Sequence, residues 1–187
     1  MYEKFGQFID GNWSPSSNKE TYEVINPATE EVLGHASKAT SVDVDKALKS
    51  AEKGLQVWKK ITPWERSYIL RRIADKLREK KDVLAKWMTL ENGKPLAEGV
   101  GETNGAADIF EWNAEETKRI FGQTIESRFE DTRVHVYYQP VGVVAALSPW
   151  NFPLILAARK ISTALAAGCS VIIKPDTITP GVVMELV

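Results

Sequence analysis

Two short polar clusters close apolar runs late in the chain. Ser148-Pro149-Trp150-Asn151 follows Val141-Gly142-Val143-Val144-Ala145-Ala146-Leu147, and Lys174-Pro175-Asp176-Thr177 follows Ser170-Val171-Ile172-Ile173. Both apolar runs read as strands, the first as one buried on both faces. Residues 152–167 between them are predicted helical, with Gly168 as the stop. Ligands of open parallel sheets sit beyond the carboxyl ends of the strands, so both clusters face one crevice. Asn151 supplies an amide N–H that can meet developing negative charge, or else the side chain that caps the following helix. Lys174 sets a cation at the crevice edge, with a plain solvated lysine as the alternative. Arg159 follows Asn151 by eight residues on the same predicted helix, about 12 Å along its axis. Its long side chain leans back toward the helix start. A short molecule carrying a carboxylate at its far end would fit that interval, with a plain helix-surface arginine as the alternative.

Other reactive residue types read as structure. Cys169 is the only thiol; it sits where helix passes into strand, among small residues and with no base beside it, so it is expected to be packed core and not a nucleophile. His35 and His135 lack metal-ligand spacing, and no metal site is expected. The basic run from Arg71-Arg72 to Lys80-Lys81 is interleaved with Asp75, Glu79 and Asp82, as on a solvated helix face.

The elements that must position the clusters come earlier. Asp10-Gly11 between apolar residues predicts a tight hairpin, and Asn26-Pro27-Ala28-Thr29 a second one between strands 21–25 and 31–36. Thr40 is expected to cap a helix reaching about Trp58, with Val44, Leu48, Ala51 and Leu55 on its buried face. Thr62-Pro63-Trp64-Glu65 predicts a capping box opening a helix whose apolar face carries Ile69, Ile73 and Leu77. A further helix over 83–91 stops at Asn92-Gly93, and another runs from about Pro95 to Ile120. Glycines 99, 101 and 105 in that last helix predict close approach of a neighbouring backbone. Val134-His135-Val136-Tyr137-Tyr138 alternates as a half-exposed strand does, and Thr179-Pro180 opens a last helix.

The chain has 187 residues, 43% hydrophobic and 26% charged, which is the composition of an ordinary globular protein able to bury a core. With 24 basic and 25 acidic residues it has no electrostatic footprint for nucleic acid or an anionic membrane. No apolar stretch approaches a membrane span. Met1-Tyr2-Glu3-Lys4-Phe5 shows no secretory leader, and a single cysteine suits a reducing compartment, so a cytoplasmic location is expected.

Gln139-Pro140-Val141-Gly142-Val143, Pro149-Trp150-Asn151-Phe152-Pro153, Ala164-Leu165-Ala166-Ala167-Gly168-Cys169 and Lys174-Pro175 stand in the order and spacing of the aldehyde dehydrogenase superfamily. Asn26-Pro27-Ala28-Thr29 and Leu90-Glu91-Asn92-Gly93-Lys94-Pro95 fit it as well. The chain resembles the N-terminal portion of such an enzyme, and residues 89–98 resemble the succinate-semialdehyde dehydrogenase branch. The resemblance implies an α/β fold. Hairpins and helices over 1–122 would pack on a cofactor domain, and a strand arm over 123–140 would serve as an oligomerisation ribbon. The first βαβ part of an incomplete, Rossmann-like parallel sheet would occupy 141–187.

The resemblance also implies site roles. Asn151 would donate to the oxyanion formed when a thiolate attacks an aldehyde, and Lys174 would bind the adenosine ribose of NADP or NAD. Ser148, Pro149, Trp150, Asn151, Pro175, Asp176 and Thr177 would line the same cofactor cleft. Arg159 would take the carboxylate of a semialdehyde, as the corresponding arginine does in semialdehyde-oxidising relatives. Many NAD-preferring members carry glutamate where this chain has Thr177. Losing that carboxylate removes a repulsion against a 2′-phosphate and implies that NADP is accepted, although Asp176 opposes this if it faces the phosphate. The implied reaction oxidises an aldehyde, succinate semialdehyde in this branch, through a thiohemiacetal, hydride transfer and hydrolysis of a thioester. The family's nucleophilic cysteine, general-base glutamate and glycine-rich loop lie further along than residue 187, so the isolated chain is expected to be inactive and the complete enzyme a homo-oligomer. The alternative reading is a non-catalytic fragment or pseudoenzyme that at most binds cofactor or a partner.

Overall fold

Local turn and cap chemistry sets the first half of the chain. The computed structural model describes Tyr2 and residues 6–187; the rest of the stretch read for a leader lies outside the described residues. Strands β1 (Gln7–Ile9) and β2 (Asn12–Ser14) pair antiparallel across Asp10 (φ 54°) and Gly11 (φ 79°). Both turn residues are left-handed, the twist a two-residue hairpin requires. β3 (Thr21–Ile25) and β4 (Val32–Ser37) form the second hairpin, where Asn26 Oδ1 accepts the Ala28 N–H at 2.9 Å.

Helix α1 (Ser41–Trp58) starts in a capping box of Thr40 and Asp43. Of its expected buried face, Ala51 is buried and Leu55 half-buried, but Val44 and Leu48 are exposed. The helix instead turns Asp43 inward, where the Ser17 N–H donates to both carboxylate oxygens at 3.1 Å. Helix α2 (Pro63–Glu79) opens in the expected Thr62–Glu65 box. Its buried stripe runs through Leu70, Ala74 and Leu77, leaving Ile69 and Ile73 half-buried at the margin.

Helix α3 (Lys81–Asn92) ends at Gly93, φ 80°, a backbone conformation that favours glycine. Helix α4 (Leu96–Glu116) passes into a 3-10 turn at Thr117–Arg119, short of the expected Ile120. Two of its three glycines sit at close approaches. A Cβ on Gly99 would stand 3.0 Å from the Ala85 backbone, and one on Gly105 would stand 3.0 Å from Ile155, whereas Gly101 faces open space.

β5 (Gln123–Glu126) and β6 (Arg133–Val136) form an exposed antiparallel arm. β7 (Val143–Leu147) and β8 (Ser170–Lys174) then pair in parallel, Val143 opposite Ser170 and Leu147 opposite Lys174, with α5 (Pro153–Ala166) as the crossover and α6 (Pro180–Leu186) after it. The α/β class therefore holds. β7 is not covered on both faces, however: Ala146 is fully buried but Leu147 is 64% exposed. In β7 apolar character comes from one packed face plus an open one, whereas Val171, Ile172 and Ile173 of β8 are all half-buried.

The core lies among the helices, around Leu70, Leu84, Met88, Phe110, Leu154 and Val183. Helix α5 is tied at its far end by Trp58, whose indole N–H donates to Leu165 O at 2.9 Å, and by Thr117, whose hydroxyl donates to Ala166 O at 2.6 Å. The first turn of α6 is held by Glu91 of α3, which is 0% exposed and accepts the Gly181 and Val182 N–H groups at 2.6 and 3.1 Å, together with the Tyr2 hydroxyl. Burial raises the Glu91 carboxyl from 4.5 to about 8 against the opposing pull of those two N–H groups.

A carboxyl group whose pKa is raised on folding stabilises the native state below its unfolded value and loses that contribution as pH climbs through the folded value. Thermal stability is therefore expected to fall between pH 4.5 and about 8. Glu91→Gln should remove most of that slope. Parallel melting profiles for the two proteins would show that Glu91 does not carry it.

Candidate active site

The site is built where β7 turns into α5. The Ser148 N–H donates to Lys174 O at 3.1 Å, carrying the parallel pairing one step past both strands. Ser148 is buried, and its hydroxyl donates to Pro153 O at 2.9 Å, closing turn 148–153. Pro149, Trp150, Asn151 and Phe152 are left exposed on the crest of that turn. Trp150 is 51% exposed.

Asn151 does not cap the helix. The residue at the N-cap position of α5 is Phe152, with no side-chain cap. The open N–H groups of Leu154 and Ile155 are instead accepted by Glu102 Oε1 of α4, at 2.9 and 3.1 Å. The Asn151 side chain makes no hydrogen bond among the described residues, so its amide is available to a ligand.

Glu102 does not stand alone. Its other carboxylate oxygen pairs with Lys94, which follows the α3 stop; both side chains are buried. Lys94 Nζ also donates to Asn151 O at 3.1 Å and lies 4.6 Å from the centre of the Phe152 ring. Asn92 Nδ2 donates to Trp150 O at 3.0 Å. The segment from Asn92 to Lys94 thus grips the two carbonyls that set the height of the crest. In the sequence Asn92 and Lys94 stood out only as part of a helix stop and a family motif, with no role at the site. Glu102 did not stand out at all, since a glutamate within a helix carries no local sign that its partners stand 52 and 53 residues away.

At the end of β8, Lys174 and Thr177 are exposed, and Lys174 forms no ion pair among the described residues. Pro175 and Asp176 are half-buried. Asp176 Oδ1 accepts the Ile178 N–H of its own loop at 3.0 Å. Burial, and to a lesser degree the Asp176 charge, push the Tyr22 hydroxyl up to about 12. The Asp176 carboxylate is thus engaged by its own loop and set within range of β3. The β7 and β8 clusters lie at the same end of the parallel pair, as their register requires.

Arg159 is exposed on α5, and its guanidinium also forms no ion pair among the described residues. Cys169 is buried and unpaired, as expected of packed core. His35 and His135 lie on separate hairpins, beside Glu23 and Thr124 respectively.

Residues 13–187 match the aldehyde dehydrogenase family. The chain belongs to that family. Among curated relatives it is 46% identical to the glutarate-semialdehyde dehydrogenase of Pseudomonas putida over 180 residues, 96% of this chain and 38% of that protein. It is 45% identical to the NADP+ succinate-semialdehyde dehydrogenase of Escherichia coli over 92% of this chain and 36% of that protein. Among solved structures, an NADP-dependent enzyme of E. coli superposes with a TM-score of 0.95 at 42% identity, over all of this chain and 39% of that one. Succinate-semialdehyde dehydrogenase from Burkholderia pseudomallei gives 0.93 at 41% identity, over 95% and 37% of the two chains. This member of the family thus spans under two fifths of the length of its relatives. Among its described residues, no helix is long and apolar enough to cross a membrane.

The buried pair makes a stability prediction. Glu102→Ala should destabilise the fold by about 3–5 kcal/mol, because it strands a buried ammonium and uncaps α5. Glu102→Gln keeps an acceptor for Leu154 and Ile155 and should cost less. Denaturant melts giving equal losses for the two variants would contradict this assignment.

Proposed function

We propose that this chain is the N-terminal part of an NAD(P)-dependent semialdehyde dehydrogenase, with succinate semialdehyde as its substrate. The observation that carries the reading is the Asn151 amide: exposed at the end of β7, relieved of capping by Glu102, and set in a chain of this family. The two relatives named for glutarate and succinate semialdehyde support a substrate with a carboxylate at its far end.

In the whole protein a thiolate supplied beyond Val187 attacks the aldehyde carbon. A C–S bond forms, and the carbonyl oxygen takes up the negative charge. Asn151 donates its amide N–H to that oxygen. Arg159 pairs with the distal carboxylate and fixes which end of the substrate faces the thiol. Lys174 binds the adenosine ribose, beside Ser148, Pro149, Trp150, Pro175, Asp176 and Thr177. When bound, the nicotinamide nucleotide supplies the hydride acceptor. The residues present fit it, since an exposed lysine with no ion pair among the described residues stands at the carboxyl end of a parallel strand. Thr177 adds no charge against a 2′-phosphate, and Asp176 is taken up by its own loop. NADP is therefore accepted.

Residues 1–122 pack on the cofactor domain that 141–187 begin, and the 123–140 arm joins copies of the enzyme into a homo-oligomer. The open face of β7 supports a further layer packed on it in the whole protein. A cytoplasmic location accords with the single buried cysteine.

In the full-length protein, Asn151→Ala is expected to lower kcat about 100–1,000-fold. Arg159→Leu should raise KM for succinate semialdehyde far more than KM for a neutral aldehyde of similar length. Equal effects on both aldehydes would remove Arg159 from the site. A preference for NAD over NADP of about tenfold or more, some 1.4 kcal/mol, would overturn the cofactor assignment.

A further inference from the structure

Lys94 belongs to no role described above for the reaction, yet it touches the reacting segment from below. It is 9% exposed, its charge is matched by Glu102, and it donates to Asn151 O at 3.1 Å. From the same loop, Asn92 donates to Trp150 O at 3.0 Å. Glu102 meanwhile fixes the N–H groups of Leu154 and Ile155. The backbone on both sides of Asn151 is thus tied to α3, α4 and the loop between them, while the Asn151 side chain has no partner among the described residues.

We propose that Lys94 is a positioning residue that aims the Asn151 amide at the substrate oxygen, with Asn92 assisting through Trp150. This rests on the reading of Asn151 as oxyanion donor. An exposed crest of four residues would otherwise sample several heights. An oxyanion donor works only within a narrow distance range, so a small displacement of its backbone weakens transition-state binding and leaves ground-state contacts in place. The lysine ammonium suits the task. It donates to the carbonyl, pairs with Glu102 and faces the Phe152 ring at 4.6 Å, and so ties two residues of the crest to Glu102 of α4.

The test is a double-mutant cycle in the full-length protein. Lys94→Met combined with Glu102→Gln removes both buried charges, leaves none stranded, and keeps a side-chain acceptor for the first turn of α5. In the presence of Asn151 this pair of changes should lower kcat about 10–100-fold, with the NADP dissociation constant changed by less than about twofold. In an Asn151→Ala background the same changes should move kcat by less than about twofold, because the group they act through is gone. Asn92→Ala, at a more exposed position, should show the same dependence on Asn151 with a loss of about three- to tenfold. It serves where the paired variant fails to fold.

Losses that multiply with that of Asn151→Ala would overturn the inference, since Lys94 would then support the fold or another group. So would an unchanged kcat. If Asn151→Ala itself leaves kcat unchanged, the failure lies in the proposed function, and the inference falls with it.

Discussion

A helix that follows a parallel strand starts with N–H groups that have no partner of their own, and burying that start without acceptors would be costly. In this chain the acceptors come from neighbouring helices and not from the turn itself. Glu102 of α4 takes the first turn of α5, and Glu91 of α3 takes the first turn of α6. The last carbonyls of α5 are met the same way, by Trp58 and Thr117. The two helices flanking β8 are thereby locked to the N-terminal layer by hydrogen bonds as well as by apolar contact. The most consequential result is local. Because Glu102 does the capping, the asparagine one residue before the N-cap position keeps its amide unspent.

The two carboxylates meet burial differently. Glu102 has Lys94 as a counter-charge, and that lysine reaches on to the Asn151 carbonyl. Glu91 has two backbone N–H groups and a tyrosine hydroxyl but no cationic partner among the described residues, and burial raises it to about 8. One carboxylate therefore ties the site to a buried ion pair. The other gives the α3–α6 junction a pH-dependent stability. Glu91, Asn92 and Lys94 lie within the segment 89–98 that carries the branch resemblance, so residues of that segment also build the scaffold, while Glu102 lies just after it.

Features that depend on a few neighbouring residues were legible in the sequence. The Asp10-Gly11 turn, the boxes at Thr40 and Thr62, the Gly93 stop and the strand–helix–strand unit all formed where local chemistry put them. Features that depend on partners far along the chain were not. The inward face of α1 follows Asp43, which is claimed by Ser17, and not the Val44 and Leu48 spacing. The α2 stripe is offset because Leu70 and Ala74, rather than Ile69, meet the core. The polar clusters at the strand ends were found because they break apolar runs. Lys94 and Glu102 break no run, and although Lys94 lies in a family motif, the contacts of both with the 148–153 turn and the start of α5 were invisible until the helices were packed.

The account turns on where the Asn151 amide points when substrate is present. A crystal structure of the full-length protein with NADP and a bound semialdehyde or its carboxylate product measures this directly. The account predicts the Asn151 side-chain nitrogen about 3 Å from the reacting oxygen, with its carbonyl still held by Lys94. An Asn151 side chain folded back onto the first turn of α5, with the substrate oxygen held by other groups, would contradict it.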